Sequence, residues 1–394
     1  MEEFSSVKSR GAGWRSVLSK VRGQLAKTAV ARDRSGGTAK AERDLLRRSG
    51  LLLLSVPREY GGIGASWIDT FGAVRELAQV DSSLAHLFAF QHLQIGSILL
   101  YASPEQQASL LRGTVEQGWF WGNALNPRDL RTHLTADGAG FCLDGIKSFC
   151  SGARDSDRLL VSTQDAQGGF HITALPTVRE GITVLDDWDN MGQRQTDSGT
   201  VTFERVAVAQ HEVLGPPGPF GTRASLRACL AQTVLGMIYL GIAQGALEQA
   251  IAFTREQSRP WPGSGVETAL EDAYIQQHYG EFHVALAGAE ALSERALAQL
   301  QAAWDEGDKL AAEGRGEAAV AIATFKVAAA KAGLDIATRL FDVTGARATH
   351  ARYGFDRYWR NLRTHSLHDP IDYKLKDLGC FILTGRYPVP GFYT

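Results

Sequence analysis

The chain has little cysteine and no pattern in what it has. Its four cysteines in 394 residues, Cys142, Cys150, Cys229 and Cys380, form no C-x-x-C pair and lack the density of a disulfide framework. That predicts reduced thiols and a cytoplasmic setting. Charge of one sign is also missing: 41 Lys and Arg stand against 43 Asp and Glu, a formal net charge of −2. Nothing in that balance gives nucleic acid or a membrane surface a reason to bind. No apolar run approaches the roughly 20 residues that span a bilayer. Met1-Glu-Glu-Phe4 lacks the basic start and apolar centre of a signal peptide. Repeats and low-complexity linkers are absent too. What remains, 44% hydrophobic and 21% charged residues, is material for a large core and two or three domains.

Read in order, residues 1 to about 10 are a loose tail, and Trp14 to Arg48 has helical periodicity interrupted near Ser35-Gly36-Gly37. The run from Gly50 through Val56-Pro-Arg-Glu-Tyr-Gly-Gly62 invites a dinucleotide-binding reading. It fails, because Pro57 breaks the apolar run and the glycines do not fit G-x-G-x-x-G. Further helices follow to residue 118, with Asp81-Ser-Ser83 as a connection and Ser103-Pro104-Glu105 as a helix start. From 119 to 215 the pattern changes to short β-rich runs separated by Gly, Asp and Asn turns, including 141–143, 158–162, 170–175, 182–185 and 200–203, which predicts a small antiparallel barrel or sandwich. After Pro216-Pro-Gly-Pro219 helical periodicity returns and holds to residue 394, with Ala-rich stretches long enough for a bundle. The expected α+β architecture is therefore a helical domain at 1–118, a β domain at 119–215 and a helical bundle at 216–394.

The densest chemistry lies in Arg357-Tyr-Trp-Arg-Asn-Leu-Arg-Thr-His-Ser-Leu-His-Asp-Pro370. A helix over 356–367 places Tyr358, Leu362 and His365 on one face, and His368 extends it, so both histidines can serve one pocket. Asp369 is expected to cap the next helix, with Pro370 at its first position and Gly385 as its stop. A carboxylate engaged in capping makes a poor catalytic base. His365-x-x-His368 has no third ligand at informative spacing, which argues against a metal pair.

The order of domains, with Val56–Gly62, Gly145-Ile-Lys-Ser-Phe-Cys-Ser-Gly152 and Met191-Gly-Gln-Arg-Gln-Thr-Asp-Ser-Gly199, resembles the acyl-CoA dehydrogenase superfamily over nearly the whole chain. Trp121-Gly-Asn-Ala124, Phe149–Ala153 and Arg363–Pro370 are most similar to its branch of flavin-dependent monooxygenases, which includes dibenzothiophene monooxygenase. The resemblance implies a two-component enzyme that takes reduced FMN from a separate NAD(P)H-dependent flavin reductase. Together with O2 it would form a flavin C4a-hydroperoxide and oxygenate a small aromatic or heteroaromatic substrate at S, N or C. It also implies a homotetramer. The alternative within the superfamily is an FAD-dependent acyl-CoA dehydrogenase, which needs a carboxylate to remove an α-proton.

Residue by residue, the resemblance implies that His368 is the active-site histidine that donates to or shuttles a proton for flavin-bound oxygen, with His365 beside it. Ser151 reaches the N5 region and Phe149 covers the ring, while Asn123 brings an amide to the flavin. His92, with His86 as its competitor on the helix 84–100, lines the substrate side. Arg259, in Ser258-Arg-Pro-Trp261, and Arg347, in Thr344-Gly-Ala-Arg347, approach flavin phosphate, the latter from a neighbouring subunit. Guanidinium suits that task because it binds phosphate bidentately and stays charged.

Overall fold

A computed structural model describes residues 13–215 and 221–394. The expected tail at 1–10 and the stretch 216–219 lie outside the described residues. Five helices come first: α1 (Trp14–Ser35), α2 (Lys40–Ser49), α3 (Trp67–Ala78), α4 (Ser82–Tyr101) and α5 (Pro104–Gln117). Eight strands follow: β1 (Trp121–Ala124), β2 (Thr132–Asp137), β3 (Gly140–Lys147), β4 (Arg158–Gln164), β5 (Phe170–Pro176), β6 (Ile182–Val184), β7 (Val201–Val208) and β8 (Val213–Leu214). The chain ends in α6 (Leu226–Glu256), α7 (Ala273–Asp305), α8 (Ala312–Thr344), α9 (Asp356–Ser366) and α10 (Ile371–Thr384).

Local chemistry sets the helix limits near the site. The Asp81 side chain accepts from Leu84 N at the start of α4. Ser103 and Gln106 form a reciprocal capping box at α5, with Pro104 where a missing N–H costs nothing. Gly385 ends α10 in the left-handed conformation, as its sequence position predicts.

The sheet is neither closed nor wholly antiparallel, as the expected antiparallel barrel or sandwich would be. Its order is β6-β7-β3-β2-β4-β5-β8, an open path, and β1 lies beside β4 in parallel. A single β2 residue, His133, also pairs in parallel with β4. The period-two pattern that reveals a strand reports which face is buried; it carries no information on the direction of the neighbouring strand.

Helices from both ends of the sequence share one core, running from Trp14 and Leu18 through Phe71, Tyr239 and Phe325 to Leu362. The sheet has its own, around Leu143, Leu159, Val161 and Phe203. A third cluster, including Ile95, Ile98, Trp121 and Leu160, joins α4 to β1 and β4. By length and composition α4 and α6 could each cross a membrane, which the sequence reading did not anticipate. Their apolar windows are 83% and 94% buried inside the protein, so here they serve as core helices.

Candidate active site

A cavity of about 730 Å³ opens where sheet and helices meet. One wall is helical: His86, Phe90 and Leu93 from α4, and Arg227, Ala231, Gln232 and Leu235 from α6. The other comes from the sheet domain: Asn123 of β1, Phe149 and Ser151 between β3 and β4, and Trp188 and Ser198 between β6 and β7. His365 and His368 close one side from the end of α9, while Phe392 and Tyr393 bring the C-terminal segment against it.

The helix expected over 356–367 forms, and Tyr358, Leu362 and His365 are all buried along it. His365 Nε2 lies 3.0 Å from His86 Nδ1, and Tyr239 donates to the His365 carbonyl at 2.9 Å. Burial, followed by the nearby His368, pulls the His86 pKa down to about 3. Burial also holds His365 well below its ordinary value. Both imidazoles are therefore neutral at working pH, and one proton occupies the bridge between them. Their outer nitrogens, His86 Nε2 and His365 Nδ1, have no partner among the described residues. Whichever tautomer holds, one outer nitrogen carries N–H and the other a lone pair, so the pair can donate at one end and accept at the other. His368 is half-exposed, with its ring 5.4 Å from that of Tyr393.

On the sheet side three hydroxyls form a chain with a direction. Thr196 donates to the Gln193 carbonyl at 3.0 Å, so its remaining capacity is as an acceptor from Ser198, 2.8 Å away. Ser198 then accepts from Ser151 at 2.7 Å. With its hydrogen committed, Ser151 offers lone pairs to the cavity. Asn123 has the opposite polarity: its carbonyl oxygen accepts from Gln94 at 2.8 Å, leaving its NH2 as a donor. Phe149 sits at φ +60°, uncommon for a bulky residue. Its side chain is 60% exposed and meets Trp188 edge-on at 6.2 Å.

The segment carrying Trp188, Thr196 and Ser198 is held from two sides. Gln193 N donates to Asn361 of α9 at 2.7 Å, and Gly192 lies so close to that helix that a Cβ would sit 2.2 Å from the Arg360 carbonyl. Asp197 pairs with the fully buried Arg43 at 2.5 Å. Any side chain at 192 would push the segment off α9.

Asp369 does not cap α10. Pro370 is the cap residue, Ile371 the first helical residue, and no side-chain cap bond forms. Asp369 is buried instead against Lys326 of α8 at 2.5 Å, with Lys374 at 3.6 Å and His368 Nδ1 at 3.1 Å. Burial alone would raise its pKa. The bond from His368 and the Lys326 charge outweigh that and hold it well below the usual carboxylate range. A lysine in the Ala-rich α8 was the sequence signal for this partner.

Of the residues expected at the site, His368, His365, Ser151, Asn123 and Phe149 line this one cavity, whereas His92, Arg259 and Arg347 do not. His92 is fully buried, with Nδ1 2.8 Å from Ser55 Oγ, and burial brings its pKa to about 3. It lies six positions beyond His86, about 120° around α4, so His86, the competing choice, takes the cavity face. Arg259 is exposed, and Arg347 donates to the Gln257 carbonyl at 3.3 Å, which puts both near one surface loop. Trp188, Arg227 and Gln232 were missed, because nothing in their local sequence distinguishes them from loop or core residues. Among the described residues no group of three or more His, Cys, Asp or Glu is placed to hold a metal ion.

The chain matches the acyl-CoA dehydrogenase N-terminal domain over residues 15–117, the middle domain over 123–206 and the C-terminal domain over 233–373. It is 51% identical over 382 residues to a probable FMNH2-dependent monooxygenase, SfnC, of Pseudomonas putida, covering 96% of each chain. It superposes on the methanesulfinate monooxygenase MsuC of Pseudomonas fluorescens with a TM-score of 0.94 at 51% identity, covering 96% of this chain and 99% of that one. The FMN-bound structure of TdsC from Paenibacillus sp. A11-2, a dibenzothiophene monooxygenase, gives 0.93 at 39% identity, covering 97% and 100%. The chain belongs to the acyl-CoA dehydrogenase superfamily, in its branch of flavin-dependent monooxygenases.

Proposed function

We infer that the protein is a two-component monooxygenase that uses reduced FMN and O2 to oxygenate a small organosulfur or heteroaromatic substrate. The observation that carries this reading is the state of the carboxylates. Among the described residues Asp189, exposed at the rim, is the one carboxylate on the cavity wall. Asp369, near where the superfamily's dehydrogenases place a base, is bound to Lys326. Dehydrogenation of an acyl-CoA requires a free carboxylate beside the substrate. This cavity presents imidazoles instead. Anaerobic titration with acyl-CoA thioesters should leave bound oxidised flavin unreduced; bleaching of the flavin would favour the dehydrogenase.

The lining fits FMN. An exposed Phe149 edge beside Trp188 offers apolar cover for a ring, while Ser151 and Asn123 supply an acceptor and a donor. Bound reduced FMN supplies the two electrons that activate oxygen. Ser151, Asn123 and Phe149 hold the ring, and Arg259 and Arg347 serve the phosphate of a neighbouring subunit in a homotetramer. His368 donates to reduced oxygen, while the His86–His365 pair moves a proton. A separate NAD(P)H-dependent reductase in the cytoplasm supplies the reduced flavin.

The hydroxyl chain yields a specific expectation. Reduced flavin carries an N–H at N5 where oxidised flavin has a bare nitrogen, so a lone-pair-presenting Ser151 favours the reduced form. Ser151→Ala should narrow the affinity gap between reduced and oxidised FMN by about 1 kcal/mol, the usual net value of one hydrogen bond. The midpoint potential of bound FMN reads this directly, and an unmoved potential would assign N5 to another group.

Arg259→Ala should weaken FMN binding by about 1.5–3 kcal/mol, the range for a hydrogen bond to a charged group, while leaving riboflavin binding unchanged. Sedimentation should show a tetramer. A monomer with intact FMN affinity would contradict a phosphate site shared between subunits.

A further inference from the structure

Arg227 is a cation without a counter-ion on the cavity wall. It is the second residue of α6 and lines the cavity, yet no carboxylate among the described residues pairs with it. Among the described residues its one side-chain hydrogen bond is to the Ser97 hydroxyl at 3.4 Å. The titratable groups facing it are the phenols of Tyr101 and Tyr393. Burial pushes Tyr101 up to about 12 and raises Tyr393, so both stay neutral. An arginine keeps its charge in such surroundings, and a partly buried, unpaired charge is costly unless a ligand completes it.

Two further groups point to the same ligand chemistry. Arg128, also on the cavity wall and also without a carboxylate partner, holds its guanidinium 5.8 Å from the Tyr393 ring. Gln232, only 4% exposed, receives a hydrogen bond from Lys326 on its oxygen and leaves Nε2 unpartnered on the cavity wall. The cavity thus offers two guanidinium groups beside Tyr393, whose ring lies beside His368, and an idle amide donor on the same helix as Arg227. Arg227 and Gln232 belong to the helical wall, opposite the Asn123, Phe149 and Ser151 wall that suits the flavin ring.

We propose that this cationic end binds the oxyanion head of a small organosulfur substrate, an alkanesulfinate, with Arg227 as the residue that selects an anion over a neutral thiophene. The proposal rests on the monooxygenase reading and narrows it. For methanesulfinate the reaction balances as CH3SO2− + O2 + FMNH2 → CH3SO3− + FMN + H2O. One oxygen atom forms a new S–O bond; the other leaves as water with the two electrons and two protons of the reduced flavin. The sulfur lone pair is the nucleophile, and Arg227 holds the existing oxygens so that this lone pair is presented.

The test compares methanesulfinate with dibenzothiophene as substrates of the intact protein, with FMN reduced by an added reductase. The parent should prefer methanesulfinate. Arg227→Met should lower the ratio of kcat/KM for methanesulfinate over that for dibenzothiophene by about 10- to 100-fold, the range for losing a hydrogen bond to a charged group, mainly through KM. Arg227→Lys should recover part of it, and the FMN dissociation constant should stay within about twofold, which also shows that the variants fold. If FMN affinity falls by that factor while the specificity ratio holds, Arg227 serves the flavin phosphate and the proposal is wrong. A parent that oxidises dibenzothiophene but not methanesulfinate also overturns it, leaving the monooxygenase reading intact. A parent that oxygenates neither substrate overturns the proposal, and one that also lets an acyl-CoA reduce its bound flavin overturns the monooxygenase reading with it.

Discussion

His368→Ala is expected to bind reduced FMN as the parent does and to consume oxygen, yet to release hydrogen peroxide in place of oxygenated product. The imidazole lines the cavity with its Nδ1 turned to Asp369 at 3.1 Å, so Nε2 is the atom available to the reacting oxygen. Asp369 accepts from Nδ1 and fixes that orientation, as a second carboxylate commonly does for a working histidine. Removing one positioned proton donor costs on the order of 10²-fold or more in the step it serves, enough for peroxide release to win. Product formed per reduced FMN should fall at least about tenfold, a conservative share of that loss, with peroxide rising to match. Full coupling in the variant would remove His368 from the chemistry.

Asp369→Asn should be among the most destabilising conservative changes in the chain. Had Asp369 been a helix cap, Asn would replace it at little cost. Buried against Lys326 at 2.5 Å with Lys374 at 3.6 Å, it is the counter-charge to the buried Lys326, and its loss strands that charge. Breaking a buried pair from one side costs about 3–5 kcal/mol. The joint change Lys326→Met with Asp369→Asn should cost less than the sum of the two singles, because no unpaired Lys326 charge then remains.

Acid should reproduce part of this. The folded pKa of Asp369 lies below its unfolded value, so its contribution is complete above about pH 5 and is lost as pH falls through and below the unfolded value near 4. Denaturant titrations should therefore show the gap between parent and Asp369→Asn closing as pH drops from 6 toward 3, on the order of the window in which a depressed carboxylate is protonated. A constant gap over that range would mean that Asp369 is not held ionised by its neighbours.

Much of this architecture was legible in the sequence. Short β-rich runs located β3 to β7, and helical periodicity and start signals located α4, α5 and α9, because those signals are local. Strand direction was not legible, since β1 beside β4 follows from how α5 delivers the chain. At the site, His365 and His368 could be paired because they stand three residues apart at and just beyond the end of one helix, α9. His86 against His92 could not be settled in the same way: both sit on a helix almost wholly buried, so polarity marks no single face, and only the position of β1 and α9 decides which imidazole meets the cavity. Asp369 was misread because an Asp-Pro dipeptide before a helix has a local meaning, whereas Lys326 is 43 residues away. Arg227 carries no local signal at all; its significance is that no carboxylate among the described residues pairs with it in three dimensions.

The most direct measurement of the central claim is a single turnover under 18O2, with the protein mixed with reduced FMN and methanesulfinate or dibenzothiophene and the product analysed by mass spectrometry. A monooxygenase places one 18O atom in each molecule of product for each oxygenation and leaves water oxygen out. Product without 18O, or reduced FMN consumed only to peroxide with every organosulfur substrate while an acyl-CoA reduces the bound flavin, would contradict the account.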